Sequence, residues 1–118
     1  MVFVEVLKKD ELDDGGLKMV EIDGDEFLVA RVGEDYYVSD NRCPHMNGDL
    51  SRGELVGTII TCPKHHSQFD LVDGRVIRWT DWKGLKLTAA KVLKSPKNLK
   101  TYPVQIKENT VLADLGND

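Results

Sequence analysis

The sequence predicts a small antiparallel all-β sandwich or barrel with one short inserted helix. Three observations carry that expectation. Short apolar, β-branched runs recur along the chain, turn-forming residues separate them, and no internal repeat or low-complexity linker interrupts the rhythm. At 118 residues, the chain 1–118 is expected to form a single domain with a modest core.

The elements follow in order. "MVFVEV" is a strand whose continuous apolar character leaves its buried face unassigned. "LKMVEI" and "FLVARV", on either side of "DGDE", read as a hairpin turning at Asp23-Gly24. "GED" at 33–35 joins the second of these to "YYVSD". "GTIITC" at 57–62 forms the next strand, and "FDLVDGRVI" at 69–77 folds back through Asp73-Gly74. "TYPVQIKENTVLADL" supplies two last strands around "KEN". Residues 79–94, "WTDWKGLKLTAAKVLK", break the pattern. Leu85, Ala89, Val92 and Leu93 share one helical face, Lys86, Lys91 and Lys94 fall elsewhere, and Pro96 ends the segment. Trp79 and Trp82 are expected to anchor this inserted helix by packing inward, with contact to a partner as the alternative.

A hydrophobic fraction of 41% with 31% charged residues excludes a disordered chain, and no window offers the ~18–20 apolar residues of a spanning helix. The start, "MVFVEVLKKDELDD", lacks the basic, apolar and small-residue regions of a signal peptide. A cytoplasmic location is therefore expected, where a cysteine pair favours metal or redox chemistry over a structural disulfide. The net charge of −4 is mild and gives no reason to expect a nucleic acid or a membrane as partner. Its distribution is uneven: residues 1–40 hold twelve acids against four bases, and residues 75–100 hold eight bases against Asp81 alone. Two readings are open, solvated faces or a docking surface for a protein of complementary charge.

The only two cysteines and all three histidines lie in "RCPHMNGDL" (42–50) and "TCPKHHSQFD" (61–70). The pattern is Cys43-x-His45, sixteen residues, then Cys62-x-x-His65. Two similar pairs in turn-rich loops read as metal ligands rather than incidental thiols and surface imidazoles. Two thiolates and two imidazoles would suit zinc, and a zinc-stabilised interaction domain is one candidate. The single residue between Cys43 and His45 makes chelation of one ion awkward; it suits adjacent metals better, with thiolate on one and imidazole on the other.

"CPH…CPKH" resembles the Rieske signature, in which one iron of a [2Fe-2S] cluster takes two Cys and the other takes two His. The likeness extends through Leu50, Gly53, Leu55, Gly57, Phe69-Asp70 and Gly74, and "LKTYPV" at 99–104 is similar to the family's returning strand. The resemblance implies one Rieske-type cluster, with Cys43 and Cys62 on the inner iron and His45 and His65 on an exposed outer iron. It further implies a small β domain with both loops at one tip, covered by a proline loop whose counterpart here is Ser95-Pro96. Family members that carry a Ser and a Tyr hydroxyl donating toward the cluster place them where this chain has Ser67 and Phe69, so half of that set is present. The extra cysteine pair of the respiratory members is absent. His66 stands where the family commonly has Gly, a position suited to φ > 0. It reads either as a tolerated, solvated residue or as a group that tunes the site.

The functional expectation is a soluble, monomeric one-electron carrier, not an enzyme, taking electrons from a reductase and passing them to an oxygenase or other redox enzyme. A small Rieske-type subunit of a larger enzyme such as nitrite reductase is the alternative. With neutral imidazoles replacing two thiolates, the oxidised cluster core sums to zero charge rather than −2, which raises the potential into a range of roughly −150 to +300 mV. Lacking the Tyr hydroxyl at Phe69, this chain is expected to lie below the respiratory proteins. Oxidation should make the remaining imidazole protons more acidic. Voltammetry across pH should therefore find a potential that falls at alkaline pH; one that stays flat into strongly alkaline solution contradicts the assignment.

Overall fold

The computed structural model describes residues 2–81, 84 and 95–116. Eleven strands are found among them: β1 (Phe3–Lys8), β2 (Leu17–Ile22), β3 (Asp25–Val32), β4 (Asp35–Asp40), β5 (Glu54–Val56), β6 (Ile59–Thr61), β7 (Gln68–Asp70), β8 (Val76–Arg78), β9 (Thr101–Tyr102), β10 (Val104–Lys107) and β11 (Thr110–Asp114). They form three antiparallel sheets, ordered β1-β11-β10, β2-β3-β4-β9 and β5-β6-β7-β8. The helix expected within 79–94 falls outside the described residues except at 79–81 and 84, as does Trp82.

Local chemistry explains the turns. Asp23 and Gly24 both take positive φ (53° and 86°), the backbone that a tight two-residue hairpin needs to follow strand twist. Glu108 (φ 56°) does the same between β10 and β11. The undecided face of β1 has a physical answer. Its register against β11 shifts between Glu5 and Leu7, and this bulge lets the consecutive residues Val6 and Leu7 both turn inward. Simple alternation could not have placed both.

β3 organises the interior. Phe27 and Val29 join Val6, Leu7, Tyr36, Val38, Val111 and Ala113 in one core, packed between the β1-β11-β10 sheet and one face of the β2-β3-β4-β9 sheet. Leu28 and Ala30 point the other way and pack with Leu50, Ile60, Phe69, Leu71, Trp79 and Leu99, together with Cys43 and Cys62. A strand buried on both faces must be apolar without alternation, which is what "FLVA" provides. The second core is the floor on which both cysteine loops stand.

The return from 95 to 100 is tied down at Leu99, whose amide donates to the Gly74 carbonyl at 2.8 Å. Gly74 has φ 81°, and a Cβ there would collide with the Leu99 carbonyl, so glycine is required twice over. Leu28, fully buried under the loops, has no room to be replaced by solvent. Leu28→Ala should cost about 2–5 kcal/mol of unfolding free energy in chemical denaturation, with β3 losing its grip on the second core.

Candidate metal centre

The two loops share one backbone design. Loop 1 spans residues 43–48 between the bridged pair Arg42 and Asp49; loop 2 spans 62–67 between the paired residues Thr61 and Gln68. In each, the cysteine amide donates across the loop at 2.8 Å, Cys43 to the Gly48 carbonyl and Cys62 to the Ser67 carbonyl. In each, the cysteine carbonyl accepts from the amide four residues on, Asn47 at 2.8 Å and His66 at 3.1 Å. Those fourth residues are the ones in the left-handed region, Asn47 at φ 61° and His66 at φ 59°. The frames match. The imidazoles hang from different rungs, two residues after Cys43 and three after Cys62.

The frame turns amides toward each sulfur. Cys43 Sγ faces the backbone N–H groups of His45 and Met46, and Cys62 Sγ those of Lys64 and His65. Both thiols are buried and unbridged, and the sulfurs lie within hydrogen-bond reach of one another. The bond between them moves the two thiols apart. It lowers Cys62 to about 6, aided by the Lys64 and His65 amides against the cost of burial. It pushes Cys43 far up, with burial adding to the effect. Amides aimed at sulfur favour its anionic form, the form that binds metal.

Gly48 sets how closely the loops approach. A Cβ on it would lie 2.5 Å from Cys62 Sγ and 3.2 Å from Lys64 Cβ. Lys64 Nζ reaches back to donate to the Met46 carbonyl at 3.3 Å. Behind loop 1 stands the fully buried Asn41, whose Nδ2 donates to Glu26 at 3.0 Å and to Asp49 at 2.9 Å and whose Oδ1 accepts from the Ser51 amide at 3.0 Å.

His45 and His65 come together, their ring centroids 5.4 Å apart at 70°. They are not equivalent. His65 is half-buried, whereas His45 is only 3% exposed because the Trp79 ring lies 4.7 Å from it. The exposed pair implied by the resemblance is not found: His45 is covered and His65 is only partly accessible. Among the described residues no three His, Cys, Asp or Glu side chains gather as one ion would need. The donors stand two and two.

Ser67 is buried beside His45, its Oγ 3.2 Å from Nδ1. Its hydroxyl proton goes to the Trp79 carbonyl rather than toward a cysteine sulfur, since a buried carbonyl needs a donor. Phe69 lies in the core beneath. His66 is exposed, and its positive φ is held from two sides. Arg78 donates to its carbonyl through Nε (3.1 Å) and Nη2 (2.8 Å), and its Nδ1 meets Asp81 Oδ2 at 2.7 Å, a contact that holds the Asp81 carboxyl below its ordinary range. Pro96 is exposed; the residues that line a groove with Cys43, Pro44 and Asn47 are Lys97, Asn98 and Leu99.

Sequence reasoning missed the sulfur-facing amides, the clearance at Gly48 and the 78–81 segment that braces loop 2. Besides Arg78 and Asp81 on His66, Thr80 Oγ1 and the Asp81 amide donate to the His65 carbonyl at 3.2 and 3.3 Å. Only Asn47-Gly48 carried a readable signal, as a turn pair. Trp79 packs inward, as expected, and the ring it covers is His45.

Comparison with known proteins agrees with this geometry. The Rieske [2Fe-2S] domain family matches residues 2–103. The chain is 30% identical over 114 residues to the ferredoxin component of a naphthalene 1,2-dioxygenase system from Pseudomonas putida, covering 97% of this chain and 96% of that one. It is 32% identical over 110 residues to the 3-phenylpropionate/cinnamic acid dioxygenase ferredoxin subunit of Photorhabdus laumondii, covering 92% and 90%. Among solved structures, the ferredoxin of carbazole 1,9a-dioxygenase from Nocardioides aromaticivorans superposes with a TM-score of 0.77 at 25% identity, covering 96% of this chain and 97% of that one. A fold of three antiparallel sheets, two matched Cys–His loops and a family match across most of the chain lead to one conclusion: this chain belongs to the Rieske [2Fe-2S] domain family.

Proposed function

We propose that this protein is a one-electron carrier, the ferredoxin component of an oxygenase system, and that Cys43, Cys62, His45 and His65 hold its [2Fe-2S] cluster. The observation that carries the reading is the matched pair of loops, which brings two buried sulfurs together and two imidazoles side by side. The donor set fits the group: each sulfur already faces two amides, and Gly48 leaves Cys62 unobstructed. The sulfur pair would hold one iron and the imidazole pair the other. When bound, such a cluster supplies one-electron redox chemistry at a potential raised by its neutral ligands.

The chain's own residues do the rest. The amides of His45, Met46, Lys64 and His65 favour the thiolate form that the two sulfurs would take on a metal. Trp79 and Ser67 fix the His45 ring and keep water from it. His65, the more exposed imidazole, gives an electron its short way out, beside Pro63, Lys64 and Met46. Electrons would arrive from a reductase and leave to an oxygenase, as the names of the relatives suggest. Those relatives are ferredoxin components that this chain spans almost end to end, which supports a free carrier over a subunit fixed within nitrite reductase. We place it in the cytoplasm as a monomer; among the described residues no helix is long and apolar enough to cross a membrane.

Two measurements test this. The protein purified under iron-replete anaerobic conditions should be coloured, with an EPR signal on dithionite reduction that His45→Ala or His65→Ala abolishes; a colourless, EPR-silent protein with stoichiometric zinc would sink the reading. Gly48→Ala should retain the β fold by circular dichroism while losing most of its iron, because the added methyl group occupies the approach to Cys62 Sγ. Iron content equal to wild type in that variant would contradict the placement of the cluster between the loops.

A further inference from the structure

Trp79 is 3% exposed, and its Nε1 is the one buried side-chain polar atom among the described residues with no hydrogen-bond partner. An indole nitrogen can only donate, so the group wants an acceptor that the described chain does not offer. The ring cannot easily go to look for one. It packs on His45 at 4.7 Å, and its carbonyl accepts from Ser67 Oγ. The residues that follow are held as well, by the bonds from Thr80 Oγ1 and the Asp81 amide to the His65 carbonyl. Native chains rarely keep a buried donor unmade, and one held beside a cofactor site is most simply explained by an acceptor on the cofactor.

A bound cluster would bring sulfur acceptors into this core. Cys43 and Cys62 share the second core with Trp79. Neither position where other family members place a hydroxyl supplies a donor in its place: Phe69 has none, and Ser67 Oγ donates to the Trp79 carbonyl. We propose that Trp79 Nε1–H donates a hydrogen bond to sulfur at the cluster, either a cysteine Sγ or a bridging sulfide, and thereby raises its reduction potential. Trp79 is a tuning residue, since a donor to sulfur favours the more negative, reduced state over the oxidised one. The inference rests on the cluster assignment above.

Trp79→Phe keeps an aromatic ring on His45 and removes only the donor. At a fixed electrode poise, the reduced-to-oxidised ratio of this variant should fall about tenfold, equivalent to about 59 mV for one electron, at unchanged iron content. A ratio equal to wild type in a fully loaded variant overturns the proposal and leaves Trp79 as packing alone, visible only in thermal stability. Should the variant fail to hold iron, the wild-type fold still decides. Protein labelled with indole-¹⁵N tryptophan and reduced with dithionite should show a ¹⁵N hyperfine coupling in pulsed EPR, retained in Trp82→Phe. A reduced-cluster signal without that coupling overturns the proposal. Absence of any cluster signal in the wild type overturns instead the assignment on which it rests.

Discussion

Everything in this structure depends on holding two loops so close that their cysteine sulfurs share a hydrogen bond inside the protein. Burying two thiol groups against each other is unfavourable once either ionises. The chain meets that cost with backbone amides, two per sulfur, which no substitution other than proline removes. The same six-residue frame is used twice, each time closed by the amide of its own cysteine and turned by a residue at positive φ. Because the frame comes first, the imidazoles can leave it at different points, after one intervening residue or two, and still meet face to edge.

The scaffold serves this arrangement through one strand. Leu28 and Ala30 on β3 support the floor beneath the loops, while Phe27 and Val29 anchor the same strand to the remaining sheet. Loop 1 leaves from the end of β4 and loop 2 joins β6 to β7, so the two cysteines come from different sheets joined through a common core. Their relative position is therefore a property of the packed interior rather than of either loop. The imidazole pair is asymmetric, with His45 covered by Trp79 and His65 partly accessible.

Much of this was legible in the residues. Turn chemistry at Asp23-Gly24, Asp73-Gly74 and Glu108-Asn109 marked the hairpins, because few residue pairs tolerate the backbone angles these turns demand. The Cys–His spacings pointed to paired metals, because one intervening residue suits two neighbouring irons better than one ion. What stayed hidden is what side-chain identity does not encode. The bulge in β1 makes neighbours Val6 and Leu7 face the same way, which no alternating pattern announces. The amides that face the sulfurs belong to His45, Met46, Lys64 and His65, and any residue but proline would donate them equally. The contact of Trp79 with His45, thirty-four positions earlier, has no signal in the local sequence. Ser67 donates to the Trp79 carbonyl, a partner whose location depends on the tertiary fold.

The central claim is that sulfur and nitrogen donors are segregated, two on each of two irons. Mössbauer spectroscopy of ⁵⁷Fe-enriched protein addresses it atom by atom. The account predicts two distinct quadrupole doublets of equal area in the oxidised state, of which only one takes on ferrous parameters when a single electron is added. Two indistinguishable irons, or an added electron shared equally between them, would contradict it.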